Sequence, residues 1–454
     1  MPVSPPTARH VGAGGLLALG ALPIAAFAAW GIARLGEVAG HASSPPWAWL
    51  VGLALLWWVP LCWFERPIRV PPGARARVGA LRVTVQVPVY NEDPRALRAC
   101  LRSVLTQSRR VDRVRVVDDG SADAVTGRPV SYDAVRREFE AEAATLGIET
   151  TWDRTPNRGK RFAQMHALAE DDGDVFLTLD SDSVLDRHAV REGLAPFADP
   201  RVQSVAGQVL VLNRGANLLT RLTELTYLPF TCGLRSAQSV LRRVTLNSGA
   251  LAFYRADVVR RCAGGYENER FGGRPMQMND DSMLTFHALL AGDTVHQPSA
   301  MVFTLVPERF GHYARQQVRW MRGTAVRQLW WLRYMPLTGV VFWATVAEYL
   351  HLLLALAVPV VVVVADPARL GPLCLAVAQV GLGMNYLMAL RLFTVRRCDE
   401  SAASRLRAFA LAPLAALWRL LVLRPMYVYA LLTCRRVNRW GTRGGVEVSL
   451  TGAV

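Results

Sequence analysis

The chain has 454 residues, of which 52% are hydrophobic, and a formal net charge of +16 at pH 7. That length holds two or three units, but the apolar residues gather in long runs, which excludes a wholly soluble protein. The arginines cluster at the ends of those runs, so the basic excess belongs to a membrane face and an anionic substrate rather than to nucleic acid. Seven cysteines with no C-x-x-C pair, several of them inside apolar runs (Cys62, Cys374), exclude a disulfide framework and a zinc site.

Residues 11–32 and 47–64 are apolar runs of about the 20 residues that a spanning helix needs. The first lacks the charged start and small-residue cleavage site of a signal peptide, and a second run follows soon after. The loop 36–46 between them has one acid and no Lys or Arg, whereas Arg66, Arg69, Arg75 and Arg77 follow the second run. By the positive-inside rule the N-terminus and the segment from Glu65 onward are expected in the cytoplasm of a multi-pass plasma-membrane protein.

From Leu81 the pattern alternates between strand and helix. Strands are expected at 83–89, 114–117, 147–152 and 175–179, and helices at 95–107, 132–146 and 161–169. Such an order implies a mainly parallel α/β sheet of Rossmann-like βαβ units, whose ligands gather at the carboxyl ends of strands. Each strand end carries polar residues: Asn91-Glu92, Asp118-Asp119, Lys160 in the loop ahead of the fourth strand, and Asp180-Ser181-Asp182. A D-x-D past a buried strand can put oxygens on a hard divalent cation, Mg²⁺ or Mn²⁺, that also grips a diphosphate. Asp118-Asp119 can hydrogen-bond a base or ribose. Lys160 is the single lysine of the chain against 51 arginines, a compact point charge suited to phosphate, although a compositional drive toward arginine explains the scarcity equally well. Asn279-Asp280-Asp281 precedes a helical stretch at 282–291; an acid there can cap the helix or deprotonate an acceptor hydroxyl.

Gln316-Gln317-Val318-Arg319-Trp320 opens an amphipathic run that reaches Tyr334. Two more apolar runs follow at 337–365 and 371–393, with Glu348 and His351 inside the first. Ionisable residues in a membrane segment are functional candidates, here for a channel wall; helix packing is the competing explanation. The last apolar stretch, 409–433, holds Arg419, Arg424, Pro413 and Pro425 and precedes the basic 435–443. A kinked, re-entrant or hairpin segment that leaves the C-terminus inside is expected there.

Taken in this order, the motifs resemble those of the family 2 membrane glycosyltransferases, which include hyaluronan, chitin and cellulose synthases. Val87-Pro88-Val89-Tyr90-Asn91-Glu92-Asp93 resembles the first strand-end motif of that family, and Asp118-Asp119-Gly120-Ser121 the second, which contacts uridine. Gly159-Lys160-Arg161 resembles its G-K-R, Asp180-Ser181-Asp182 its metal-binding D-x-D, and Asn247-Ser248-Gly249-Ala250 its small-residue loop near the acceptor. Asn279-Asp280-Asp281 is similar to the catalytic-base triplet, in which the last acid is the base. Gln316, Arg319 and Trp320 match Q-x-x-R-W, whose Trp stacks on the acceptor sugar. Gly207–Asn213, Ala237-Gln238-Ser239 and Trp440-Gly441-Thr442-Arg443 are similar to the hyaluronan synthase branch. Two departures, Asn-Ser-Gly-Ala where a Cys-containing loop is usual and Asn279 where hyaluronan synthases have Gly, bear on the product more than on the reaction type.

The resemblance implies a GT-A catalytic domain at 66–312, between two N-terminal transmembrane helices (1–65) and an interfacial segment (313–336). Transmembrane and re-entrant helices (337–434) and a basic tail (435–454) complete the chain. It implies Asp281 as the base, Trp320, Gln316 and Ser248 at the acceptor, and Asp182 with Asp180 on the metal. Pro88, Tyr90, Glu92, Asp118, Asp119, Lys160, Asp180, Arg319, Trp440, Thr442 and Arg443 would face a UDP-sugar donor. The expected activity is inverting elongation of a β-linked polysaccharide, hyaluronan- or chitin-like, by a monomer or homo-oligomer that contacts membrane lipid and moves the polymer through its own channel. The alternatives are a non-processive transferase acting on a lipid, and a transporter or scaffold with a degenerate transferase domain.

Overall fold

The computed structural model describes residues 6–12, 14–39, 52, 56–123, 125–276 and 278–436. At its centre is an eight-stranded mixed sheet. Its strands, in chain order, are β1 (Val83–Val89), β2 (Arg113–Asp118), β3 (Glu149–Arg154), β4 (Val175–Thr178), β5 (Ser183–Leu185), β6 (Val202–Val211), β7 (Ala252–Arg255) and β8 (Asp293–Thr304). The spatial order is β3-β2-β1-β4-β7-β6-β8-β5.

The half from β3 to β4 is parallel, as the alternating pattern predicts. β1 is buried at all seven positions, which explains why it reads as a near-continuous apolar run. Pro88 sits in this central strand without breaking the sheet. The ladder to β4 ends at Gln86, so the N–H that proline lacks would have pointed past the end of that ladder. β7 then runs antiparallel to both β4 and β6, β8 is parallel to β6, and the short β5 is antiparallel to β8.

Helix α2 (Pro94–Leu105) starts on Asp93, whose carboxylate accepts a 2.8 Å hydrogen bond from Arg95 N–H, with Pro94 in the first turn. It buries Leu97, Leu101, Val104 and Leu105 against the sheet, in one core with α3 (Asp133–Thr145). The opposite face carries α4 (Lys160–Ala169) and α5 (Asp280–Ala291). There Phe176 and Tyr254 of the sheet share a core with Met283, Trp331, Met335 and Val341. That second core joins the sheet to α6 (Phe310–Tyr334) and to the start of α7 (Val340–Ala365), so the sheet layer and the apolar helices are packed as one body.

Among the described residues, four helical segments are long and apolar enough to cross a membrane: Leu19–Val38 within α1 (Gly15–Ala39), Val340–Ala365, Pro367–Thr394 containing α8 (Leu370–Ala389), and Ala412–Leu432. Part of the expected second run, 47–51 and 53–55, lies outside the described residues; its latter part forms a helical turn, Trp58–Leu61, and a 3-10 turn, Cys62–Phe64. Ala412–Leu432 is helical but interrupted. α9 (Ala412–Trp418) and α10 (Arg424–Leu432) flank a π-turn at Arg419–Leu423; Pro413 sits in the first turn of α9, and Pro425, which has no N–H to continue the helical ladder, follows the π-turn. α1 and α8 approach closely through small residues: a Cβ on Gly383 would lie 2.7 Å from Ala28 Cβ, and one on Gly31 would lie 2.9 Å from Val380 Cγ2.

One buried carboxylate joins these parts. Glu65, which follows the second apolar run, lies 2.7 Å from His296 Nδ1 on β8, accepts from Ser236 Oγ at 2.6 Å and meets Arg391 Nη2 at 3.4 Å. All seven cysteines are free thiols.

Candidate active site

The strand-end loops are stitched to one another before they present any side chain outward. Asn91, at φ +48°, donates its N–H to Ser121 Oγ at 2.9 Å, and its Oδ1 accepts from Ala122 N–H at 2.8 Å. Glu92 N–H donates to Tyr132 Oη at 2.8 Å, and its Oε2 accepts from Ser181 Oγ at 2.9 Å. The first strand-end motif therefore touches both the second and the D-x-D. Pro88 is buried within β1, and Tyr90 lies half-buried just past the end of that strand.

Asp118 and Asp119 do positional work here. Asp118 accepts from Ser121 N–H at 2.9 Å and pairs with Arg154 Nη1 at 3.0 Å. Asp119 uses its two oxygens to accept from the N–H groups of Arg158 and Gly159, at 2.9 and 2.8 Å; burial nevertheless pushes its carboxyl above the ordinary aspartate range. Gly120, at φ +73°, lets the two loops touch, because a Cβ there would lie 2.7 Å from Asn157 N. The loop held in this way delivers Lys160 to the first turn of α4.

Lys160 is the hub. Its side chain is 7% exposed, and Nζ lies 2.8 Å from Asp180 Oδ1 and 2.7 Å from Asp280 Oδ2. Burial works against the ammonium, but Asp180, then Asp280 and Asp281, outweigh it and hold the group above the ordinary lysine value. The Asn247–Ala250 loop packs onto this pair, since a Cβ on Gly249 would lie 2.8 Å from Nζ and 3.3 Å from both Asp180 oxygens. Ser248 accepts from Arg235 Nη2 at 2.6 Å; Arg235 is fully buried, also donates to Gly207 O at 3.2 Å, and has its guanidinium 4.9 Å from the Phe230 ring. Burial lowers the Arg235 guanidinium to about 10.

Asp280 and Asp281 are neighbours with opposite fates. Lys160 overcomes the burial of Asp280 and keeps it ionised, below the ordinary aspartate range. Asp281 is raised to about 6, by burial first and by the Asp280 charge second. Its Oδ1 accepts from Ser282 N–H at 2.7 Å. Two carboxylates whose environments push their pKa values apart can serve different chemical roles. Asp182 Oδ1 accepts from Ser183 Oγ at 3.2 Å and Thr304 Oγ1 at 3.4 Å, where β5 meets β8.

The Gln316–Trp320 motif lies in α6, and the Asn279 triplet is keyed to that helix one turn beyond Trp320. Asn279, at φ +65°, donates from Nδ2 to Gly323 O at 2.7 Å. A Cβ on Gly323 would lie 1.9 Å from Asn279 Oδ1. Trp320 is 45% exposed, with its ring centroid 6.1 Å from that of Tyr227 at 50°. Gln316 has a buried Oε1 with no hydrogen-bond partner among the described residues, and Arg319 is half-buried on the same helix. Trp440, Thr442 and Arg443 lie outside the described residues.

The sequence motifs thus converge as far as Asp180, Lys160, the Ser248 loop and the 279–281 triplet. Sequence reasoning missed Asp280 as the lysine's counter-ion, Arg235 as the support of Ser248, and Gly323 as the socket of Asn279. A solitary lysine pointed toward the first; nothing local in the sequence marks the other two.

Residues 81–323 match the family model described as "Glycosyltransferase like family 2". The hyaluronan synthase of Streptococcus pyogenes is 31% identical over 370 residues, 81% of this chain and 84% of that protein. An N-acetylglucosaminyltransferase of Azorhizobium caulinodans is 31% identical over 366 residues, 80% and 87% of the two chains. Among solved structures, a mannosyltransferase from Pyrobaculum calidifontis, in complex with GDP-Man and Mn²⁺, superposes over 88% of this chain and 99% of its own with a TM-score of 0.53 at 21% identity, a likeness of fold. The chain belongs to glycosyltransferase family 2 and is a GT-A hexosyltransferase with candidate membrane helices on both sides of its catalytic domain.

Proposed function

We propose that this protein is an inverting, membrane-embedded transferase that uses UDP-sugars to extend a β-linked polysaccharide of the hyaluronan or chitin type. The observation that carries this reading is the ion-pair hub, in which Lys160 holds Asp180 and Asp280 while Asp281 beside it stays poised near neutrality. The two curated relatives, a hyaluronan synthase and an N-acetylglucosaminyltransferase, favour that product class.

The donor diphosphate would lie over the strand ends. Asp180 and Asp182 fit Mg²⁺ or Mn²⁺, because these ions take one or two carboxylates and complete their shell with phosphate oxygens and water. The Asp182 carboxylate, held by two hydroxyls at the end of β5, has the hard oxygen chemistry required. When bound, the cation would supply positive charge to the diphosphate. Lys160 and Arg319 add charge from the protein and stabilise the departing UDP. Asp281 takes the proton of the acceptor hydroxyl, whose oxygen attacks the anomeric carbon as the bond to UDP breaks on the opposite face, inverting the configuration. Trp320, exposed on α6, offers a stacking platform for the acceptor sugar, and Gln316 an oxygen for its hydroxyls.

A channel along α7 and α10 would carry the product. Gln328 bridges Glu348 and Tyr427, and Arg424 Nη2 lies 3.0 Å from His351 Nε2, giving a polar seam inside apolar helices. The catalytic domain would face the cytoplasm, beside the basic Arg66–Arg77 segment.

UDP release by purified protein with UDP-GlcNAc, UDP-GlcA and UDP-Glc, singly and in pairs, tests the donor class. UDP release from one of these donors that disappears in Asp182→Ala supports the proposal; no UDP release from any of them, in protein that stays folded, contradicts it.

A further inference from the structure

A second basic site lies apart from the strand ends. Three chain passages that enter or leave the apolar helices converge beside β5: residues 7–10 before α1, residues 67–70 after the second apolar run, and residues 396–398 after the third span. With residues 186–192 of the catalytic domain they line a groove of about 1010 Å³.

Its charge is one-sided. Arg9, Arg69, Arg187, Arg191 and Arg396 line it with their side chains exposed. Among the described residues only Arg191 of these five has an ion-pair partner, Glu192 at 2.9 Å. The acids that line the groove are already engaged. Asp186 accepts from Ala8 N–H at 3.0 Å and His188 N–H at 2.9 Å, and Glu192 also accepts from Ser299 Oγ at 2.8 Å.

A separate observation concerns the floor. Ala8–His10 and Val395–Arg397 pair as an antiparallel ladder that places Arg9 directly opposite Arg396. Like charges facing each other across two strands destabilise the pairing, and this ladder puts both arginines on one face, neither with an ion-pair partner among the described residues. An anion bridging the two would turn that repulsion into paired charge-assisted hydrogen bonds.

Position identifies the source of the anion. The span Pro367–Thr394 ends two residues before Arg396, and Arg9 precedes the span that starts at Leu19. The groove therefore opens where apolar helices give way to the catalytic domain, at the depth of lipid headgroups. We infer that this groove binds the phosphate of an anionic phospholipid between Arg9 and Arg396, with Arg69 and Arg187 flanking it. Such a lipid joins the strap before α1 to the strap after α8 and seats the catalytic domain on the bilayer. The inference rests on the apolar helices crossing a bilayer, not on the identity of the sugar.

The full chain in nanodiscs tests it. Protein prepared with phosphatidylglycerol is exchanged into phosphatidylcholine nanodiscs, and the phosphatidylglycerol retained per chain is counted by mass spectrometry. Wild type is expected to retain it, and Arg9→Gln/Arg396→Gln to bind it roughly 10- to 30-fold more weakly, at the contribution usual for two basic groups near a charged surface. Arg128→Gln/Arg137→Gln, exposed arginines away from the groove, should retain it as wild type does. Because Arg9 and Arg396 also pair in the ladder, Arg69→Gln/Arg187→Gln provides a variant outside any strand and should weaken retention in the same direction. Equal retention by wild type and a folded groove variant would overturn the inference. So would displacement of the lipid by millimolar inorganic phosphate, which would make this a site for free phosphate. A chain that stays soluble without detergent would fail the membrane reading instead, a separate outcome.

Discussion

At the scale of single residues, the proposed mechanism rests on Lys160 and the acids around it. The ammonium sits within 2.8 Å of both Asp180 and Asp280, a fit that a planar guanidinium cannot reproduce. Lys160→Arg should therefore lower kcat/KM roughly tenfold or more, equivalent to about 1.4 kcal/mol of transition-state stabilisation, in steady-state assays of UDP release. Asp281→Asn removes the base and should lower turnover by on the order of 10² to 10⁴-fold, with donor binding retained in isothermal titration. A raised carboxyl is protonated over a wider range than usual, and a base works only when ionised. The rate should thus fall as pH drops through about 6 in wild type, and that acid limb should vanish from the residual rate of Asp281→Asn. A pH-rate profile with no limb in this region would remove Asp281 from the role.

At the scale of elements, the site depends on how α6 seats the triplet before α5. A Cβ on Gly323 would collide with the Asn279 side chain, so Gly323→Ala should destabilise the protein by about 1–3 kcal/mol and slow transfer. Asn279→Gly removes the obstructing atoms and tolerates the left-handed backbone at that position. In Gly323→Ala/Asn279→Gly the loss should be largely recovered, and thermal melts of the four proteins would give the coupling directly. Additive losses would mean that the two residues do not meet.

Legibility in the sequence also divides by element. β1 to β4 and their helices were readable to within two residues: β1, β2 and β4 because a strand covered on both faces must be apolar, and the polar edge strand β3 because it falls between two helical patterns. The other half, in which parallel and antiparallel pairs mix, was not readable. β5 is three residues long, and β6 and β8 contain Ser204, Gln208, His296 and Gln297, buried polar residues that blur the apolar pattern. Their partners are distant in the chain: His296 meets Glu65, and Gln297 Oε1 accepts from Ile68 N–H at 2.8 Å. The motif residues were likewise visible one by one, whereas the pairing of Lys160 with Asp280 exists only once α4 and α5 lie side by side.

At the scale of the molecule, the catalytic sheet and the apolar helices share a core and a buried polar joint. Glu65 connects the N-terminal membrane segment, β8, the Arg235–Val240 helix and the end of the third span through His296, Ser236 and Arg391. Removing one partner leaves the others buried and uncompensated, so Glu65→Ala should cost about 3–5 kcal/mol, read as a lower melting temperature in detergent. Arg235 immediately precedes Glu65's partner Ser236 and holds Ser248 beside the Lys160 pair. Loosening the joint should thus be felt at the acceptor loop as well.

The measurement that bears most directly on the central claim is the length of the product. Purified full-length protein, given UDP-GlcNAc alone and then together with UDP-GlcA, is expected to release UDP and to accumulate a high-molecular-mass, β-linked polymer. Asp281→Asn should form none under the same conditions. Transfer of a single sugar to lipid, or equal product from wild type and Asp281→Asn, would contradict the account.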